Sequence, residues 1–398
     1  MTFIMTFPER FSDLPEYAFP RLRALLDSIE PGGEVIHMTI GEPKHPFPAW
    51  VRDVIADASD DFGRYPPNDG TPELLDAIAG WLRRRFDLDL DCETQIMAAN
   101  GTRESLFAAC LALCPEKADD GEPPVVLTPN PFYQVYAVAA AAAGARAEFI
   151  PATRQNGFLP DFANLNPALL DRVAVAYICS PSNPQGAVAS QDYWLRLIEL
   201  AERHDFKIFS DECYSEIYRD QPPTSAMRVA QDVGADEERV VIFNSLSKRS
   251  NLPGLRSGFV AGGPECVARI KQLRAYAGAP LPIPLQRAAE KVWSDESHVQ
   301  ENRRLYQEKY LIADEIFAGV QGYQGPQAGF FLWLPVEDGE RAAIKLWGDT
   351  GVRVLPGAYL GRKVQGENPG EKYVRVAMVA SKEELQRGLK KIRDCFYK

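Results

Sequence analysis

The chain has 398 residues, 45% hydrophobic and 25% charged, with a formal net charge of −11. That length suits two domains with a large core, and the composition is that of an ordinary soluble globular protein. The negative surplus excludes nucleic acid and anionic membranes as main partners, so an anionic ligand must be held by local arginines and backbone amides.

The seven cysteines are scattered without a CxxC pair, and His37, His45, His204 and His298 do not sit at metal-ligand spacing with them. This predicts no metal site, no disulfide framework and a reducing, cytoplasmic setting. MTFIMTFPER at the amino terminus lacks a basic segment followed by a long apolar one and does not read as a secretory signal. The most apolar run, from Ala137 to Ala145, is broken at Gly144 and far below a membrane span.

Residues 1–30 read as an arm and a first helix, with Phe19, Leu22, Leu25, Leu26 and Ile29 near helical spacing and Pro31-Gly32-Gly33 as the stop. A short strand, Val35 to Met38, runs into IGEPKHP. Gly41 there permits either close backbone approach to a ligand or a plain turn. In 64–86, Pro72 opens a helix with Leu74, Leu75, Ile78 and Leu82 on its apolar face. Tyr65 lies in the preceding loop, facing a ligand, a second subunit or only solvent. Residues 96–114 form a strand, a turn and a helix opened by Gly101 and Thr102, whose free N–H groups suit an anion. The strand from Val125 to Thr128 ends in PNPFYQVY, which puts Phe132 and Tyr133 where ligands of α/β sheets bind; one stacks on a flat ring, or both are core.

Val173 to Cys179 is continuously apolar, as a strand covered on both faces would be, and ends in SPSNPQG, where two prolines confine Asn183. After a helix over 190–204 comes the strand Lys207 to Ser210 and then DECYSEIY. Asp211 at that strand end is costly to bury unless it meets a positive group, and Tyr214 follows three residues later.

The stretch from Val241 to Gly263 organises the rest. An apolar strand, Val241 to Phe243, leads into a hydroxyl-rich loop with Ser245, Ser247 and Lys248, a Pro/Gly turn, Arg256, and a second strand, Phe259 to Ala261. A partly desolvated lysine offers a neutral, nucleophilic amine, and an arginine eight residues on can grip a phosphate. Together they match the needs of pyridoxal phosphate, an aldehyde with a phosphate tail; a solvated loop with surface cations is the alternative from this stretch alone.

Four strand ends, near 128, 180, 210 and 245, thus carry polar or aromatic side chains. The alternation from 95 to 275 predicts an α/β fold with a mostly parallel sheet between helices. Helical patterns at 264–276, 283–294 and 298–318, then strands in 329–336, 352–360 and 373–380 and a last helix from Ser381, predict a smaller α+β domain. The expected division is 1–45 for an arm and part of the small domain, 46–282 for the large one and 283–398 for the rest of the small one. Arg375, inside an apolar strand, wants a carboxylate from the protein or from a ligand.

In order along the chain, IGEP, YPPNDGTPELLDAIAGW, NGTRES, PNPFYQVY, SPSNPQG, SDECYSEIY, SLSKRSNLPGLRSGF and RVAMVA resemble the class I/II, fold-type I, pyridoxal-phosphate-dependent aminotransferases. The finer wording, in TIGEPKHP and VLPGAYLGRKVQGENPGEKYVRVAMVA, is similar to the succinyldiaminopimelate aminotransferases of lysine and diaminopimelate synthesis. The resemblance implies that Lys248 holds the cofactor aldehyde and moves the substrate proton, while Asp211 pairs with the ring nitrogen. It implies Tyr214 and Asn183 on the ring oxygen and Tyr133 stacked on the ring. The phosphate falls to the amides of Gly101, Thr102 and Arg103, to Ser245 and Ser247, to Arg256, and to Tyr65 of a neighbouring subunit, hence a homodimer with shared sites. Arg375 takes the substrate α-carboxylate, with Gly41 and Asn183 beside it. Succinyldiaminopimelate with 2-oxoglutarate is the expected substrate pair. The rivals are a broad-specificity or aspartate/alanine-type aminotransferase, a C–S lyase of the same fold, and a non-enzymatic binding protein, disfavoured because Lys248, Asp211 and Arg256 are all present. Arg21 and Arg23 are candidate cationic contacts for the distal end of the substrate, with solvated residues of the first helix as the simpler reading.

Overall fold

The computed structural model describes residues 9–12, 14 and 16–398; the reading of the amino terminus as no secretory signal rests mainly on residues 1–8, outside that set. Seven strands form one sheet in the spatial order Ile96–Ala99, Gly258–Ala261, Val240–Ser245, Lys207–Asp211, Val173–Cys179, Val125–Asn130, Arg146–Pro151. Neighbours run parallel except Gly258–Ala261, which is antiparallel to both its partners. The fold is therefore the expected α/β one, and its central strands are apolar on both faces because helices cover both.

The one reversal matters for the site. A parallel neighbour needs a crossover helix that returns the chain to the other end of the sheet. Residues 246–257 instead turn back at once, so Lys248 and Arg256 both stay at the carboxyl end of Val240–Ser245. Lys248 sits on a single helical turn, Leu246–Arg249, where the sequence reading has an open loop. The edge strand Arg146–Pro151 and the helices Val51–Asp57 and Ala226–Asp232 are absent from that reading; the helices span fewer than two and a half turns, too few to show a period.

A second, three-stranded antiparallel sheet has the order Leu355–Pro356, Tyr373–Ala377, Phe331–Pro335. It shares a core with the helices Ser297–Ile316, Gly339–Thr350 and Lys382–Phe396. Ile36–His37 pairs in parallel with Val352–Arg353.

Just past the strand Lys207–Asp211, Glu212 is buried with Ser210 Oγ, Ser225 Oγ and the Ala226 N–H all donating to its Oε1 at 3.0 Å. Burial pushes its carboxyl up from 4.5 to about 7 against those donors. The folded state thus holds a proton that the unfolded chain releases above pH 4.5, so this group's contribution to stability falls as pH rises from 4.5 to 7 and levels off beyond. Glu212→Gln keeps the accepting oxygen and removes the titration. Chemical denaturation from pH 5 to 8 should show the wild type losing on the order of 2 kcal/mol relative to this variant.

Candidate active site

The carboxyl ends of the central strands converge on a cavity of about 270 Å³ against the smaller sheet. Gly41, Thr102, Arg103, Tyr133, Asn183, Asp211, Tyr214, Lys248 and Arg375 all line it, although their sequence positions span the whole chain. Gly101, Ser245 and Arg256 lie together beside Thr102, described below, and Ser247 precedes Lys248 in its helical turn. Tyr65 is fully exposed and lies outside the cavity within this chain.

Lys248 projects from its helical turn so that Nζ hydrogen-bonds the Gly41 carbonyl, and lies 5.5 Å from the centroid of the Phe330 ring. Gly41 is required by packing: a Cβ there would stand 2.5 Å from Phe331 Cζ. Burial lowers the Lys248 pKa, and the positive Arg375 and Arg256 add to the effect, against the Cys213 thiol and Glu42. The amine is thereby biased toward its neutral, nucleophilic form.

Asp211 closes the strand Lys207–Asp211 and is almost fully buried. Its Oδ2 accepts from the Tyr136 hydroxyl at 2.9 Å and its Oδ1 from the Cys213 N–H at 3.3 Å. Burial raises its pKa; the two donors and Lys248 oppose that. No ion pair satisfies it among the described residues, so a buried carboxyl faces the cavity with two neutral donors and room for a cationic one.

Arg375 comes from the middle of Tyr373–Ala377 with its guanidinium 4.2 Å from the centroid of the Phe331 ring. Nη1 donates to Asn183 Oδ1 at 3.0 Å and Nη2 to the Thr39 carbonyl at 2.8 Å, while buried Nε has no partner. Burial lowers its pKa to about 10, and no carboxylate pairs with it among the described residues. It is a buried cation whose charge no anion among the described residues balances.

The phosphate-sized cluster lies at the start of the helix Thr102–Leu113. Gly101 has φ 85°, and a Cβ on it would stand 2.6 Å from Arg256 Nη2. Arg256 is held in the left-handed region at φ 59°, with Nη1 donating to the Pro253 carbonyl and Nη2 to the Asn100 carbonyl, both at 2.8 Å. Glu104, which would repel an anion from the first turn, is instead paired with Arg274 at 2.7 Å. The hydroxyls of Thr102, Ser245 and Ser247 make no hydrogen bond among the described residues. Unused hydroxyls, first-turn N–H groups and a guanidinium form a built anion cradle. With a desolvated amine, a buried acid and this cradle, the residues present fit pyridoxal phosphate.

Tyr133, expected against a ring, packs edge-on to Tyr136 at 5.8 Å and accepts from Arg103 Nε at 2.6 Å. Tyr214 packs edge-on to Phe330 and Phe331, and burial drives its hydroxyl pKa up. The sequence reading missed Tyr136, Thr39 and Phe331. For Tyr136 a signal existed, a lone hydroxyl-bearing ring in an alanine-rich helix.

Asp211→Asn tests the buried acid. It removes a desolvated charge while keeping an acceptor, so the cofactor-free protein should melt at the same temperature or a few degrees higher. Affinity for pyridoxal phosphate should fall at least about tenfold, since a charged partner of the ring nitrogen is lost. Differential scanning fluorimetry with and without cofactor measures both.

The family profile described as "Aminotransferase class I and II" matches residues 33–392. The chain is 33% identical over 403 residues to the LL-diaminopimelate aminotransferase of Moorella thermoacetica, covering 96% of this chain and 97% of that one. It is 32% identical over 353 residues to a 4-dedimethylamino-4-oxo-anhydrotetracycline transaminase of Streptomyces rimosus, covering 88% and 91%. A crystal structure of an aminotransferase from Neisseria meningitidis Z2491 superimposes with a TM-score of 0.92 at 38% identity, covering 97% of this chain and 99% of that one.

Proposed function

The chain belongs to the class I and II aminotransferases, which depend on pyridoxal phosphate, and from that premise we propose that its amino donor is a diaminopimelate-type diamino diacid with 2-oxoglutarate as acceptor. The N-succinyl-L,L form is the first reading, supported by the wording of TIGEPKHP and of the segment from Val354 to Ala380. The Moorella relative, named for LL-diaminopimelate, favours a second reading in which the distal amine is free.

The observation that carries the amino-acid chemistry is Arg375, unpaired with any carboxylate among the described residues, in one cavity with Lys248 and Asp211. Pyridoxal phosphate, when bound, supplies an electrophilic carbon and a ring that accepts electrons from the substrate Cα. Asp211 would hold the proton on its ring nitrogen, Asn183 and Tyr214 its ring oxygen and Tyr133 its face. Gly101, Thr102, Arg103, Ser245, Ser247 and Arg256 would hold its phosphate, with Tyr65 contributed to the site of the second subunit of a homodimer. Arg375, with Asn183 and Gly41 beside it, binds the α-carboxylate and so fixes which Cα–H faces Lys248. The Lys248 amine, neutral through burial, takes the proton from substrate Cα and returns it in the reverse half-reaction.

Turnover with 2-oxoglutarate should be at least about tenfold faster for succinyl-diaminopimelate than for free LL-diaminopimelate, aspartate or alanine. A preference for the free diamino acid selects the second reading. Preference for aspartate or alanine, or release of pyruvate and ammonia from cystathionine, removes both.

A further inference from the structure

A group of polar residues outside the cavity lining, buried Lys309 and Asn302 with half-buried His45 between them, reaches the backbone of Lys248. Lys309, in the helix Ser297–Ile316, is 1% exposed and pairs with no carboxylate among the described residues. Its Nζ lies 2.7 Å from His45 Nε2. His45 Nδ1 lies 2.8 Å from Asn302 Oδ1. Asn302 Nδ2 in turn donates to the backbone carbonyl of Lys248 at 3.4 Å.

Two carbonyls, which only accept, fix the direction of this chain. Asn251 Nδ2 meets the Pro46 carbonyl at 3.5 Å and Asn302 Oδ1 at 3.2 Å, so it donates to both. Asn302 therefore presents its oxygen to Asn251 and its NH2 to the Lys248 carbonyl. An oxygen facing His45 Nδ1 requires the proton on that nitrogen, which leaves Nε2 of the neutral ring as a bare acceptor. Lys309 is the donor that meets it. The Lys248 segment is then held twice: its carbonyl by Asn302, and its amine by Gly41, four residues from His45 on the same loop.

We propose that Lys309 is a positioning residue, donating to His45 and so locking a one-way hydrogen-bond chain, Lys309 to His45 to Asn302 to the Lys248 carbonyl, that fixes both Lys248 and the Gly41–His45 loop on which its amine rests. Its catalytic consequence rests on Lys248 being the reacting amine. The chain's direction does not.

The electrostatics agree. Burial lowers Lys309 to about 7, with Lys382 and Lys44 adding to the effect. Burial and Lys309 also lower His45, against Asn302 and Glu301. The other groups facing the pair are the Tyr306 ring, 4.6 Å from the His45 ring and 5.0 Å from Lys309 Nζ, and Glu301, which is paired with Arg304 at 2.7 Å. Among the described residues, the one acid acting on His45, Glu301, is already engaged by Arg304.

Only four histidines are present, so 15N-histidine NMR of the cofactor-free protein can read the His45 ring, assigned by its loss in His45→Phe. The expected spectrum is the Nδ1–H tautomer at pH 7.5, with the ring titrating at higher pH in Lys309→Met once the neighbouring amine is gone. In the reconstituted enzyme, Lys309→Met and His45→Phe should each lower kcat about tenfold, the size of one buried hydrogen bond, with KM for the amino donor within about twofold. Because both act through one chain, the double variant should be no slower than either single. An Nε2–H tautomer, or a His45 titration unmoved by Lys309→Met, overturns the chain whatever reaction the protein performs. Additive losses in kcat, or losses in KM alone, overturn the positioning role. If Lys309→Met does not fold, the wild-type tautomer and His45→Phe carry the test.

Discussion

Lys248→Ala should lower turnover by at least about 10⁴-fold, the combined size of a lost covalent anchor and a lost general acid/base. The expectation follows from what else is in the cavity. Lys248 is the one amine among its lining residues, and the nearby cations are guanidiniums, which stay protonated. Among the described residues no histidine lines it, and the carboxyl of Asp211 is engaged by Tyr136 and Cys213. Nothing is left to take a proton from a substrate Cα at neutral pH. The lowered pKa gives a second signature: activity of the wild type should rise as pH climbs through the depressed value, well before an ordinary lysine deprotonates. Borohydride reduction of the reconstituted protein followed by peptide mapping should place the cofactor on Lys248. A Lys248→Ala protein that keeps wild-type turnover would end this account, and so would a label on another lysine.

How far the site was legible in the sequence depends on how its residues earn their places. Asp211, Lys248 and Arg375 stand out because each puts a charge at or inside an apolar strand, where it is costly without a purpose. Asn183 and Arg256 stand out because proline and glycine punctuation fixes the loops that carry them. Thr39 does not stand out, and Tyr136 does so only as the one hydroxyl-bearing ring of an alanine-rich helix, which says nothing of its partner. Tyr136 matters through Asp211, 75 residues away, and Thr39 matters through Arg375, 336 residues away. Neither pairing leaves a local pattern, and the same holds for Phe331 beneath the Arg375 guanidinium. In the fold, the parallel strands were legible as unbroken apolar runs. The edge strand Arg146–Pro151 was not, since exposed Arg146 and partly exposed Glu148 blur its pattern. The helical turn under Lys248 is too short to show any period; packing against the turn Pro253–Leu255 and the helix Ile283–Ser294 defines it.

Arg375→Met should raise KM for amino and keto acids by roughly 10²–10³-fold, the value of two charge-assisted hydrogen bonds to a buried carboxylate. The wild-type guanidinium bears a desolvation cost that the chain leaves uncompensated: its pKa is lowered to about 10 by burial, its Nε is unpaired and its other contacts are an amide oxygen and a backbone carbonyl. A substrate carboxylate relieves that cost, which makes binding selective for acids over otherwise identical amines. Met matches the stem of the side chain and fills the space beside Phe331, so the variant should fold at least as stably as the wild type. The decisive comparison is between an amino acid and its decarboxylated amine. The wild type should prefer the acid by the same 10²–10³-fold, and Arg375→Met should show almost no preference. Arg375→Lys should recover only part of it, because a single ammonium cannot present two parallel donors. Equal preference in wild type and Arg375→Met would mean that the carboxylate binds elsewhere, and Arg103, the other guanidinium lining the cavity, would then be the group to change.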